Sequence, residues 1–181
     1  MEFIFSHSVL RNLSNLEELV IESCFLLKQI IVTSKVTFDF QVLPRLKVLK
    51  LSYLPELVSR NKWAGPIPKG SFGILTSVIV KTCSKLEFIF PQTMLHCLSN
   101  LEELSVEDCK TLKEVIEERE DDQVILEDHG SALCSLKELK LRHLPELVRV
   151  SNSSIPYVEK PDIVDCPKLK DVKSEELSDQ V

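Results

Sequence analysis

Glycine is scarce in this chain, four residues in 181, and no Gly-x-x-x-x-Gly-Lys run occurs. A backbone loop that cradles phosphate needs such glycines, so nucleotide chemistry finds no seat here. Gly-x-Ser-x-Gly and His-Glu-x-x-His are also missing, which removes the familiar hydrolase signatures. No Cys-x-x-Cys pair is present, and Cys97, Cys134, His96 and His129 are scattered; a structural zinc site wants paired ligands. We therefore expect no catalytic centre, no cofactor and no metal. Positive charge is in deficit, 22 Lys and Arg against 28 Asp and Glu, for a net charge of −6. That balance gives no electrostatic footprint for nucleic acid. The longest uncharged run, Phe88 to Leu101, is interrupted by Pro91, Gln92, His96 and Asn100, and is shorter than the ~20 apolar residues of a spanning helix. No membrane insertion is expected. The N-terminus carries Glu2 and His7 instead of a basic segment and an apolar block, so no secretory signal is read. The expected location is cytoplasmic, with the six cysteines as thiols. Aromatics are few, leaving Leu, Ile and Val to build a regular layered core.

What is present is repetition. Leu13-Ser14-Asn15-Leu16-Glu17-Glu18-Leu19 recurs without change as Leu98 to Leu104, an offset of 85 residues that also carries Phe3-Ile4-Phe5 onto Phe88-Ile89-Phe90. A shorter pattern, Leu-x-x-Leu-x-Leu followed by Cys or Leu-Pro, occurs six times. Its third apolar positions are Ile21, Leu51, Val80, Val106, Leu141 and Ile163. In Leu-x-Leu the two leucines point to one side of a strand and the residue between them to the other. One such strand cannot stand alone, so neighbouring units stack and bury the leucine side as a continuous core.

The expected fold is α/β: a right-handed leucine-rich-repeat solenoid, a horseshoe segment with a parallel concave sheet and an irregular or short-helical convex side. Residues 1–181 are read as one domain of about six repeats. Phe3 to Leu13 matches Phe88 to Leu98, so the chain is expected to begin inside a unit and to lack caps. Residues 114–128 hold eight acids against Arg119 alone and are expected to form a solvated acidic loop. Trp63 is expected to pack over the solenoid edge. Cys24, Cys83, Cys109 and Cys166 share one repeat position, just after the strand, and are expected to be buried thiols bonding neighbouring backbone groups. Pro161 stands where the sixth repeat should have leucine, which puts the regular pairing of that repeat in question.

Leucines and cysteines belong to the core, so the positions between and beside them carry any binding function. The candidate partner-binding set is Glu17, Glu18, Glu22, Lys47, Lys50, Tyr53, Lys81, Glu102, Glu103, Glu107, Asp108, Lys137, Lys140, Arg142 and His143. Ser105, between Leu104 and Val106, is read as part of the same exposed face. Stripes of opposite sign alternate along the repeats. With equivalent positions adjacent on neighbouring strands, Glu17 is expected beside Lys47, Glu102 beside Lys137, Glu107 beside Arg142, and Lys140 beside Asp162. His143 is expected between Asp108 and Asp165. Such pairs set register and solubility, and they also form a patterned surface for a protein partner.

The alternation of Leu-Ser-Asn-Leu-Glu-Glu-Leu with Leu46-Lys47-Val48-Leu49-Lys50-Leu51-Ser52-Tyr53-Leu54-Pro55-Glu56-Leu57 and Leu136-Lys137-Glu138-Leu139-Lys140-Leu141-Arg142-His143-Leu144-Pro145-Glu146-Leu147 resembles the leucine-rich-repeat region of plant intracellular disease-resistance proteins. It is similar, more narrowly, to their coiled-coil, nucleotide-binding class. The resemblance implies a module that senses a pathogen effector or a guarded host protein and restrains a nucleotide switch located elsewhere. Its partners would be those proteins or the nucleotide-binding module of a parent receptor. An alternative is the substrate-recognition arm of a ubiquitin-ligase adaptor, which requires a helical recruitment module ahead of the repeats.

Overall fold

The computed structural model describes residues 2–31, 38–59, 67–117, 133–151, 158 and 161–170. In chain order the elements are β1 (Phe3–Phe5), α1 (His7–Arg11), β2 (Glu18–Glu22), β3 (Gln29–Ile31), β4 (Val48–Ser52), β5 (Ser77–Lys81), β6 (Phe88–Phe90), a 3-10 helix (Gln92–Cys97), β7 (Glu103–Glu107), β8 (Glu114–Ile116), β9 (Glu138–Arg142) and β10 (Asp162–Val164). The six repeat motifs supply the six strands of one parallel sheet, ordered β2, β4, β5, β7, β9, β10. Register follows the motif: Leu49 pairs with Val78, Val78 with Leu104, and Leu104 with Leu139. The chain is a parallel-sheet solenoid of leucine-rich-repeat type.

Burial explains the pattern. Leu46, Leu75 and Leu101 precede their strands and are fully buried, as are Val78, Val80, Leu104, Val106 and Leu141 within them. Removing a leucine side chain from water is worth roughly 1.5–3 kcal/mol, and the stacking repeats this gain at every level. Leucine thus sets both the strand's facing and its register.

Turns frame the strands of this sheet among the described residues. Ahead of them, the N–H of Leu16, Leu46, Leu75, Leu101 and Leu136 donates to the carbonyl three residues earlier. After them, Ser23, Tyr53, Thr82, Asp108, His143 and Asp165 all adopt φ between 53° and 55°. This is the left-handed region, costly for residues with a Cβ. The turn is held because the N–H of Ser23, Tyr53, Thr82, Asp108 and His143 each reaches a carbonyl of the next repeat, carrying the ladder one residue past the strand. No glycine marks the position, so the motif does not announce it.

Beyond the turn the chain forms a second row of backbone bonds. Val58 N–H donates to Lys28 O, Lys113 to Glu87, Val148 to Lys113, and Lys170 to Val148. Between the second and third repeats the link is a side chain: Ser59 Oγ accepts from the N–H groups of Glu87 (2.7 Å) and Phe88 (2.8 Å) and donates to Phe88 O (2.6 Å). Parallel pairs β1 with β3 and β6 with β8 belong to this row, and they are copies of one another at the 85-residue offset. In the connections that follow β1 and β6, the same offset places α1 against the 3-10 helix.

Three expectations need correction. The acidic run does not begin as a loop, since Glu114–Ile116 is β8 with Val115 and Ile116 buried; its residues 118–128, like Trp63, lie outside the described residues. Pro161 leaves the sixth repeat in register but shortens its strand: Asp162, Ile163 and Val164 pair with Lys140, Leu141 and Arg142, three positions where β7 and β9 pair at five. His143 N–H donates to Val164 O, and backbone groups alternate in direction along a parallel strand. Pro161 therefore faces the open side of β10, where its missing N–H costs no ladder bond. Finally, Cys24 is exposed, whereas Cys83 and Cys109 are buried.

Candidate functional site

The exposed face of the six-stranded sheet is the candidate site, and its geometry divides the candidate residues into three rows. Glu17, Lys47, Glu102 and Lys137 immediately precede their strands. Glu18, Glu22, Lys50, Lys81, Glu103, Glu107, Lys140 and Arg142 lie on strands, at positions that alternate with the core side chains. Tyr53, Asp108 and His143 occupy the left-handed turns behind the strands. The third row thereby leaves the extended backbone of the strands, a distinction that strand alternation alone does not reveal.

Two of the expected pairs form in register. Lys47 Nζ lies 2.8 Å from Glu17 Oε2, and Lys137 Nζ lies 2.9 Å from Glu102 Oε2. The Lys47 ammonium bonded to Glu17 holds that carboxyl below the usual carboxylate range. His143 Nδ1 approaches Asp165 Oδ2 at 2.8 Å. The other two expected neighbours share register without pairing. Glu107 turns to Lys81 at 3.1 Å, while Arg142 reaches diagonally to Asp162 with bonds of 2.7 and 3.1 Å. That leaves Lys140 near Glu138 at 3.9 Å. Lys50 likewise reaches diagonally to Glu18 at 3.1 Å, and Ser77 Oγ donates to Glu103 at 2.7 Å. Long cationic side chains choose the better-placed carboxylate over the adjacent one.

Ser105 is a correction. Only 4% of it is exposed, because its small side chain stands between Ile79 and Lys140 on the flanking strands. Val20 and Val164, read from the motif as positions of the same outward face, are exposed at 54% and 40% and occupy outward strand positions. Tyr53 is half exposed. The carboxylates of Glu22 and Asp108 have no hydrogen-bond or ion-pair partner among the described residues. The face thus offers two free acids and isolated apolar contacts on a ground of neutralised pairs.

The cysteines lie behind this face. Sγ of Cys24, Cys83, Cys109 and Cys166 each donates to the carbonyl two residues earlier, at 3.4 to 3.5 Å. The adjacent Cys83 thiol, together with burial, pushes the Cys109 thiol up. Burial alone pushes Cys97 up to about 12. Cys97 and Cys109 are thus protonated structural thiols at neutral pH. Among the described residues no group of three or more His, Cys, Asp or Glu is placed to hold a metal ion, and no helix is long and apolar enough to cross a membrane.

The repeats, their alternating Cys and Leu-Pro exits and this register agree with a comparison against known families. A model of the family described as plant disease resistance protein RPS2-like, leucine-rich repeats, matches residues 58–178. The chain belongs to that family. No curated protein and no solved structure matches it. The family match opens at Val58, just past β4, yet β2 and β4 are joined to the matched part by the 85-residue duplication and by unbroken register. Family membership therefore bears on the whole sheet: leucine-rich repeats of this kind mediate contacts between proteins.

Proposed function

We propose that the chain is a recognition module of plant innate immunity, binding a pathogen effector or a guarded host protein and restraining a nucleotide switch carried elsewhere. It acts in the cytoplasm and performs no catalysis. The sheet lines the inner wall of a right-handed, curved solenoid, and the three rows upon it form the contact surface. The observation that carries this reading is the face itself. Paired charges fix its relief, while Glu22, Asp108, Val20 and Tyr53 stay available to a partner. Membership of the disease-resistance family supports the immune role.

Charge reversal tests it. Glu103→Lys, Glu107→Lys and Asp108→Lys together replace the outward acids of β7 and its turn while leaving Leu104, Val106 and Cys109 in the core. The triple variant is expected to lose the host proteins that the immobilised wild-type chain captures from plant extract, with an unchanged circular dichroism spectrum. Capture that survives the reversal, on a folded variant, would move recognition off this face.

A further inference from the structure

Between the front sheet and the rear row, at the level of the second repeat, the core holds a cavity of about 100 Å³ whose wall includes Leu19, Ile30, Leu49, Leu57, Ile89 and Met94. It is interior to the stack. Repeat 1 supplies one side through Leu19 and Ile30, repeat 3 the other through Ile89 and Met94, and β4 the front. Burial marks the same place. Leu49 lies on β4, which is flanked by β2 and β5, yet it is half-buried where Val78, Leu104 and Leu139 at the same register position are fully buried. On the rear row Ile30 and Ile89 are half-buried, while Val115 and Val150 at the same repeat position are fully buried. Residue types account for the difference. Three and four residues after Leu27, Leu86, Leu112 and Leu147 stand Ile30-Ile31, Ile89-Phe90, Val115-Ile116 and Val150-Ser151. After Leu57 they are Arg60 and Asn61, outside the described residues, so repeat 2 alone among these five has no apolar residue at either position.

We propose that this cavity is a binding site for a compact, uncharged hydrocarbon of about four to six carbons. Protein interiors are otherwise close-packed, and a cavity with apolar walls stays dry and takes up small apolar molecules. The wall excludes polar ligands. Ser59 is the one polar side chain among the wall residues described. A hydroxyl has one proton and two lone pairs, and all three are spent, on Phe88 O and on the N–H groups of Glu87 and Phe88. No wall side chain is left to meet a ligand's hydroxyl or charge. Met94, flexible and polarisable, lets the wall adapt to the shape of its guest. A ligand held here binds the folded chain alone and so stabilises it. Leu49 and Leu51 line the cavity from the same strand that carries Val48, Lys50 and Ser52 on the outer face, which couples occupancy to the stiffness of repeats 1 to 3.

Methyl NMR of the full chain under xenon pressure, and then in cyclopentane-saturated buffer, tests it. Both are expected to shift the methyl signals of Ile30, Leu49, Ile89 and Met94 saturably and to leave those of Leu104, Val115, Leu139 and Val150 in place. Amide exchange should slow at least about threefold in β4, and not in β9. Cyclopentanol, the same ring with a hydroxyl, should bind at least about tenfold more weakly. Leu49→Phe carries a ring into the space and should cut cyclopentane affinity at least about tenfold. If that variant misfolds, the comparison of the two ring compounds on the unaltered chain decides alone. Absence of shifts in saturated buffer, equal binding of the two compounds, or shifts spread alike over Leu104 and Leu139 would each overturn the proposal. Reversal of Glu103, Glu107 and Asp108 should leave cyclopentane bound, so failure here is distinct from failure of recognition on the sheet face.

Discussion

Repeat 1 and repeat 4 share seven consecutive residues, yet they are different objects in the fold. Leu101, Leu104 and Cys109 are fully buried, whereas Leu16 and Leu19 are half-buried and Cys24 is exposed. The strand, its register to the following repeat and its left-handed exit are alike in both. Only the neighbour on the preceding side differs: β7 has β5, and β2 has none among the described residues. In a solenoid the motif thus determines local shape, while the adjacent unit determines how much that shape contributes.

The sharpest way to break this comparison is to truncate the same leucine in each copy. Leu104→Ala empties a closed position and should lower unfolding stability by about 3 kcal/mol. Leu19→Ala removes a side chain that water already reaches, and should cost about 1 kcal/mol. Equal losses in urea titrations would show that β2 is covered in solution and that the contrast between the copies is false. A second, smaller effect concerns the rear row. Repeat 5 bonds back to repeat 4 through its main chain, with Val115 N–H donating to Arg149 O and Ile116 N–H to Val150 O. Repeat 2 links forward to repeat 3 through the hydroxyl of Ser59 instead. Ser59→Ala strands two backbone donors and should cost about 2 kcal/mol. Arg149→Ala removes the ion pair of that side chain with Glu114, 2.9 Å apart, but leaves the backbone bonds of its row in place and should cost less. The reverse order in matched melts would assign the strength of the row to side-chain ion pairs.

Much of this was readable from residues alone, for a physical reason. Leucine alternation is a local consequence of pleat and burial, so six strands, their facing and their register followed from the motif. Ion pairing was readable only where side chains meet squarely, as at Glu17 with Lys47. Where Arg142 and Lys50 chose diagonal partners, side-chain reach decided, and reach is not written in register. The left-handed turn was illegible because Ser23, Tyr53, Thr82, Asp108, His143 and Asp165 have no residue type common to all of them, and their common φ is imposed by the ladder. Ser105 was misread because the bulk of neighbouring strands buries it. β8 was hidden by its own acids, since Glu114 and Glu117 flank a buried Val115-Ile116 pair.

The smallest expected difference lies in the surface pairs of the two copies. Glu17 with Lys47 and Glu102 with Lys137 have nearly the same separation, and both pairs are half exposed, so solvent and salt screen them alike. Lys47→Met should raise the titration of Glu17, followed by NMR, back toward the ordinary value of 4.5. The sign follows from linkage: a carboxyl held low in the folded chain stabilises above its unfolded pKa, and the contribution disappears as pH falls through the folded value. Wild type and Lys47→Met should therefore differ slightly at neutral pH and converge in acid. Both Lys47→Met and Lys137→Met should perturb stability less than Leu19→Ala. A larger effect from Lys47→Met than from Leu19→Ala would mean that the exposed repeat is held in register by its charges, and that the two copies differ in the force that aligns them as well as in burial.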